Sequence, residues 1–160
     1  MVWLVAFWDG SFEAHTSCVY VCSEWEDYAG ESGVDVSLIY AKSRVAPMVG
    51  TTISKMQIQG SLLKVVLALD TVIDRVIMAG DSMCALMSPT RQGTSFKPFL
   101  QNRVAETLSN LRQVEERVRM LEQTLKVPTE LNLAEVCARG KATLADIESN
   151  SVWQRGPQYL

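Results

Sequence analysis

The feature that most constrains this chain is its opening run, Val2-Trp3-Leu4-Val5-Ala6-Phe7-Trp8, which is apolar at every position. A strand with one solvated face alternates apolar and polar residues, so an unbroken run of this length predicts a strand covered on both faces, at the centre of a sheet. The run ends abruptly in Asp9-Gly10-Ser11, and a second apolar run, Val76–Ala79, ends in Gly80-Asp81-Ser82. A carboxylate at the end of a buried strand must be hydrated, paired or bound to a cation. Two of them on neighbouring strands would repel unless a divalent ion lay between them. The alternative is that each aspartate opens a turn or caps a helix.

The rest of the chain supplies the frame. Cys18–Cys22 and Val34–Ala41 read as a second and third strand, joined by the acidic, glycine-containing stretch Glu24–Gly33. Short connections between the first three strands predict an antiparallel meander. Ser54–Asp70 changes to helical period, with Ser54 and Gln57 spaced as a capping box and Leu62, Val65, Val66 and Leu69 making its later half apolar nearly all round. Asp74–Ala79 returns to strand, and Asp81–Met87 reads as a short helix before a polar loop at Ser88–Ser95. Phe96–Gln123 is mostly helical with Pro98 in its first turn, while Val118–Val127 is compatible with helix or strand. Asn132–Ala138 reads as a short helix capped by Asn132, and residues 141–160 show no core pattern of their own. This order predicts an α/β fold: a mixed sheet of three antiparallel strands extended by parallel strands, flanked by helices. In such a sheet the strands' carboxyl ends form the natural site. Asp9 and Asp81 meet there if the first and fourth strands are neighbours. Trp3, Phe7 and Trp8 read as packing residues rather than stacking platforms. His15, placed in the turn between the first strands and away from the site, reads as a solvated loop histidine and not as a general base.

With 160 residues, 48% hydrophobic and 21% charged, the chain suits one globular domain. No apolar stretch approaches the roughly 20 residues that span a bilayer, so no membrane association is expected. The start lacks a basic leader, and the initiating Met stands directly against the first strand, as in a piece of a longer polypeptide. Cys18, Cys22, Cys84 and Cys137 have no metal-type spacing and read as buried thiols of a reducing compartment, with the cytoplasm expected and a virus-like particle or the nucleus as alternatives. Net charge is −3, unevenly spread. Residues 1–35 hold seven acids and no Lys or Arg, whereas residues 91–126 hold seven bases against four acids. That polarity is compatible with an acidic metal pocket beside a basic face for a polyanion, or with a solvated charged helix around Arg112–Arg119. The overall acidity argues against tight nucleic-acid binding by this domain alone.

Several blocks carry a specific resemblance. Ala41-Lys42-Ser43-Arg44-Val45-Ala46-Pro47, Phe96-Lys97-Pro98-Phe99, Asn102-Arg103-Val104-Ala105-Glu106, Val127–Glu135, Ala138-Arg139-Gly140 and Trp153-Gln154-Arg155-Gly156-Pro157 together resemble the region after the reverse transcriptase in Bel/Pao-type retrotransposon polyproteins. That region has been called the Pao retrotransposon peptidase, and its fold resembles ribonuclease H. The resemblance implies a ribonuclease H-like domain over residues 1–140 with a C-terminal extension at 141–160. It also implies cleavage of the RNA strand of RNA–DNA hybrids, with reverse transcriptase and integrase segments as polyprotein partners. Four carboxylates would hold two Mg²⁺ ions that activate a water and stabilise the leaving oxygen. Asp9 matches the family's Asp-Ala-Ser aspartate, with Gly10 for Ala. Asp81 matches that of Thr-Asp-Ser, with Gly80 for Thr. Glu135 matches the aspartate of Asn-Pro-Ala-Asp, with Leu133 for Pro. Lys55-Met56-Gln57 stands where the family has Arg-Leu-Glu, so a neutral amide at Gln57 replaces the helix carboxylate and weakens any bound ion. Lys126 stands where relatives carry His. Lys42, Arg44, Arg103, Lys126 and Arg139 are the candidate nucleic-acid contacts.

Two other functions stay open at this point. A non-catalytic, retroelement-derived interaction domain or a fossil frame agrees with Gln57 and Gly80. An aspartic peptidase needs Asp-Thr/Ser-Gly, and Asp70-Thr71-Val72, Asp81-Ser82-Met83 and Asp9-Gly10-Ser11 all lack that pattern.

Overall fold

In the computed structural model, which describes residues 1–11, 14–45, 62–80, 98–138, 142–148 and 151–160, the opening run forms β1 (Val2–Gly10) at the centre of a five-stranded sheet. The sheet order is β3-β2-β1-β4-β5, with β2 (Ala14–Glu26), β3 (Ser32–Val45), β4 (Arg75–Gly80) and β5 (Met120–Lys126). β1 runs antiparallel to β2, which runs antiparallel to β3; β4 is parallel to β1, and β5 is parallel to β4. The expected meander and its parallel extension are both present.

Alternation along β1 explains why the run has no polar position. Leu4, Ala6 and Trp8 enter one core with Leu62, Leu63 and Val66 of a helix at 62–68 (α1) and Val114 of α2 (Pro98–Arg117). Val5 and Phe7 enter the other, with Cys18, Tyr20 and Cys22 of β2, Ile77 and Ala79 of β4, and Ala134 and Trp153 from the C-terminal part. Full burial of each large side chain contributes about 1.5–3 kcal/mol, so β1 anchors both layers. Phe7 and Trp8 are indeed packing residues, and Cys18 and Cys22 are buried free thiols.

The ambiguous stretch after residue 117 resolves as strand. Met120–Lys126 pairs with β4, and Arg117 ends α2 by donating to the carbonyls of Leu67 and Leu69 at the end of α1. Those carbonyls lack intrahelical donors, which is why a guanidinium serves there. β5 leads into a 3₁₀ turn (Thr129–Leu131) and α3 (Ala134–Ala138).

The C-terminal residues pack more closely than their sequence suggests. α4 (Leu144–Ile147) carries a capping box between Thr143 and Asp146, and α5 (Val152–Arg155) is capped by Ser151. Trp153 is 7% exposed in the second core, and its carbonyl accepts the Tyr20 hydroxyl at 2.6 Å. Gly156, at φ 74°, lets the chain turn away where a Cβ would meet Val36 at 2.4 Å.

Candidate functional site

Asp9 is the penultimate residue of β1, paired with Thr16 of β2 and 6% exposed. Trp8 and Gly80 are register partners across β1 and β4, so the two strands that lead into Asp9 and Asp81 end side by side. Asp81, Gln57 and the first part of the expected Ser54–Asp70 helix, up to residue 61, lie outside the described residues, as do Arg139 and the expected 81–87 helix; residues 62–68 of the expected span form α1. Gly80 has a local reason: a Cβ there would sit 2.5 Å from the Trp8 indole. The ring of Trp8 occupies the space that a side chain at position 80 would need, and the small residue and the large one are a matched pair.

α3 is bolted to the same strand end. Asn132, 3% exposed, donates its side-chain amide to the Trp8 carbonyl at 3.0 Å, while its amide oxygen accepts the Ala134 N–H at 3.2 Å. The expected capping role is present, but the bond to β1 is a second task that capping patterns do not reveal. Ser11 adds another tie: its hydroxyl donates to the Ala138 carbonyl at 2.7 Å and accepts the Ala14 N–H at 3.0 Å. The helix is thereby held at both ends, and Glu135 stands in its first turn, partly buried. Lys126 closes β5 as the register partner of Gly80 and is exposed. Lys42 and Arg44 lie near the end of β3, paired with Ser17 and His15, on the same end of the sheet as Asp9. Arg103 lies on α2.

His15 corrects the sequence reading in two ways. It is 6% exposed within β2, not solvated in a loop, because the polar stretch from Ala14 to Ser17 is laddered to β1 on one side and β3 on the other. Since β2 runs antiparallel to β1, its start lies at the Asp9 end. Alternation puts His15 on the α1–α2 face and Asp9 on the opposite one.

The charge polarity also sorts differently. Of the seven acids before residue 36, Glu24, Glu26, Asp27, Glu31 and Asp35 cluster at the β2–β3 hairpin, the far end of the sheet from Asp9. They do not form a pocket with it. Asp27 there accepts the N–H groups of Ala29 and Glu31, at 2.8 and 2.9 Å, and organises the turn. Arg117 caps α1, and Arg119 faces Asp74 at 3.5 Å, again at the far end. The Arg112–Arg119 segment is therefore structural in part and distant from the strand ends of the site. Among the described residues no three His, Cys, Asp or Glu side chains cluster as a metal centre; two of the four expected positions, 57 and 81, are outside that set. Burial pushes the Cys22 thiol up to about 11 and, with Cys18 nearby as a lesser cause, the Tyr159 phenol up to about 12.

A mixed sheet in the order 3-2-1-4-5 with helices on both faces defines a ribonuclease H-like domain, and solved structures share it. The N-terminal RNase H domain of a Mycobacterium tuberculosis protein superposes with a TM-score of 0.50 at 12% identity, over 89% of this chain and 100% of that one. The protease–reverse transcriptase of prototype foamy virus matches with a TM-score of 0.53 at 14% identity, over 88% of this chain and 21% of the viral one. LC11-RNase H1, solved in complex with an RNA/DNA hybrid, gives 0.49 at 13% identity, over 82% and 88% of the two chains. No curated protein matches by sequence. The family model of the Pao retrotransposon-like RNaseH-like domain matches residues 1–85, and the chain belongs to that family. The match spans Asp9, Gln57 and Asp81; Glu135 and the Trp153–Pro157 block lie beyond it. Among the described residues no helix is long and apolar enough to cross a membrane.

Proposed function

We propose that this chain is a retroelement ribonuclease H-like domain that engages RNA–DNA hybrids beside a reverse transcriptase, with its phosphodiester chemistry weakened by Gln57. The observation that carries this reading is the parallel pairing of β1 with β4 in the Trp8–Gly80 register. In that register the residue before Asp9 and the residue before Asp81 in sequence are partners across the two strands. Asp9, Asp81 and Glu135 offer hard anionic oxygens of the kind that suit Mg²⁺. A divalent cation held by them would lower the pKa of an attacking water and offset charge on the leaving oxygen. The residues of the chain do the positioning. The Asn132 bond to Trp8 and the Ser11 bond to Ala138 fix α3, and with it Glu135, against the end of β1. Lys126, Lys42 and Arg44 lie on the same end of the sheet, where cations meet a phosphate backbone; Arg103 and Arg139 complete the candidate set. Gln57 contributes a neutral oxygen in place of a charged one, which lowers the affinity of the site for a dication.

Cleavage of a labelled hybrid in Mg²⁺ and in Mn²⁺ tests this. The native domain should cut slowly, Asp81→Asn should give background, and Gln57→Glu should raise the rate by about tenfold or more, equivalent to roughly 1.4 kcal/mol of barrier. A Gln57→Glu rate no higher than that of Asp81→Asn would end the proposal for catalysis. The neutral amide at position 57 also favours a second reading, a non-catalytic hybrid-binding domain. Its signature is hybrid binding by the native protein that persists in Asp81→Asn, with no cleavage by either.

A further inference from the structure

β3 is an edge strand of 14 residues, bordered by β2 on one side and by no strand among the described residues on the other. Such an edge offers a row of backbone donors and acceptors to any extended chain, and proteins guard against this with charges that repel a like edge. β3 carries its charges in a different arrangement. Asp35 lies toward the acidic hairpin, which also holds Glu24, Glu26 and Glu31, whereas Lys42 and Arg44 lie toward the other end. Asp35, Lys42 and Arg44 pair with Ser23, Ser17 and His15, which alternation assigns to the same face of the sheet. Two β3 strands docked antiparallel about a twofold axis near Leu38–Ile39 bring Asp35 of each copy against Lys42 and Arg44 of the other. Parallel docking would oppose like charges. The strand has one irregularity, Ile39, which is skipped between Tyr40 (opposite Val19) and Leu38 (opposite Tyr20); it lies at the proposed axis, with regular ladders to β2 on both sides of it. Val34, Ile39 and Val45 are exposed along it, with 43%, 41% and 86% of their surface open to solvent.

From this self-complementary edge we propose that β3 is a homodimer interface, taking β3 of a second copy antiparallel to extend the sheet across the twofold axis. Paired edge strands satisfy the open backbone groups of both copies, and opposite charges fix the register. The proposal does not depend on the nucleic-acid reading.

Sedimentation velocity without nucleic acid, over roughly micromolar to millimolar protein, tests it in the range where a small interface dissociates. The mass should rise toward a dimer with concentration, and added salt should oppose the rise. Asp35→Lys should weaken the association by about tenfold, and the combined reversal Asp35→Lys, Lys42→Asp, Arg44→Asp should restore it. Amide exchange should slow with concentration in β3 but not in β5. A chain that stays monomeric throughout overturns the proposal, as does a dimer indifferent to Asp35→Lys or one whose concentration-dependent protection falls outside β3.

Discussion

The two ends of this sheet are held together by different chemistry. At the far end the charges serve the chain itself. Asp74 accepts the Val2 N–H at 2.9 Å and faces Arg119, Asp27 holds a turn, and Arg117 caps α1 through two carbonyls. At the Asp9 end two neutral groups, the amide of Asn132 and the hydroxyl of Ser11, tie α3 to β1. Charge counted along the sequence cannot make this distinction. Which carbonyl or N–H a charged group serves decides whether it builds the fold or belongs to a site.

The largest effect is expected at Asn132. Asn132→Leu removes both bonds and leaves the Trp8 carbonyl without its donor, so it should cost about 2–3 kcal/mol in urea denaturation. A cost under about 0.5 kcal/mol would show that neutral groups do not hold the site end. Next comes Gly80→Thr, where the new Cβ collides with the Trp8 indole. Overpacking of this kind should cost about 1–3 kcal/mol, and a double-mutant cycle with Trp8→Leu should recover more than half of it. Simple additivity in that cycle would deny that the two positions are matched.

Smaller effects belong to the far end. Cys22 pairs with Trp3 there, and its folded thiol titrates near 11 against 9.0 for the ordinary group. The folded state then keeps a proton that the unfolded chain loses, so this stability is intact below about pH 9 and is lost as pH rises toward 11. Melting temperatures of Cys22→Ala across that window should show a shallower alkaline fall than those of the native chain. An unchanged slope would assign the fall to other groups. Smallest of all, Arg117→Ala should cost about 0.5–1 kcal/mol through the α1 carbonyls, and Arg119→Ala, an exposed pair with Asp74, close to nothing. If Arg119 proved the costlier of the two, the capping role of Arg117 would be misassigned.

Much of the fold was legible because β1 advertises its position. A strand buried on both faces needs apolar residues throughout, and Val2–Trp8 has them, which in turn implied covering layers and neighbours on each side. β2 was legible only in its apolar half. Ala14–Ser17 looks like loop, yet a strand flanked on both sides must satisfy its backbone whatever its side chains are, and His15 is carried into the interior with it. β5 was ambiguous because Met120–Lys126 mixes polar and apolar residues without clean alternation. Trp153 was visible only as part of a family-like block, and its packing could not be read: its partner Tyr20 is 133 positions away, and a single aromatic in a polar segment has no period. At the site, Asp9 was visible as a charge ending an apolar run. The double role of Asn132 was not, since a cap leaves the same trace in sequence whether or not its other half reaches a neighbouring strand.

The interlock of Trp8 and Gly80 has a consequence for descent. With an indole filling the space above position 80, any side chain there must displace the ring before it can be accommodated. Substitutions at the two positions are therefore coupled: a smaller residue at position 8 makes a larger one at position 80 less costly. The small residue at the end of β4 is thus kept by its neighbour as much as by anything the site itself requires.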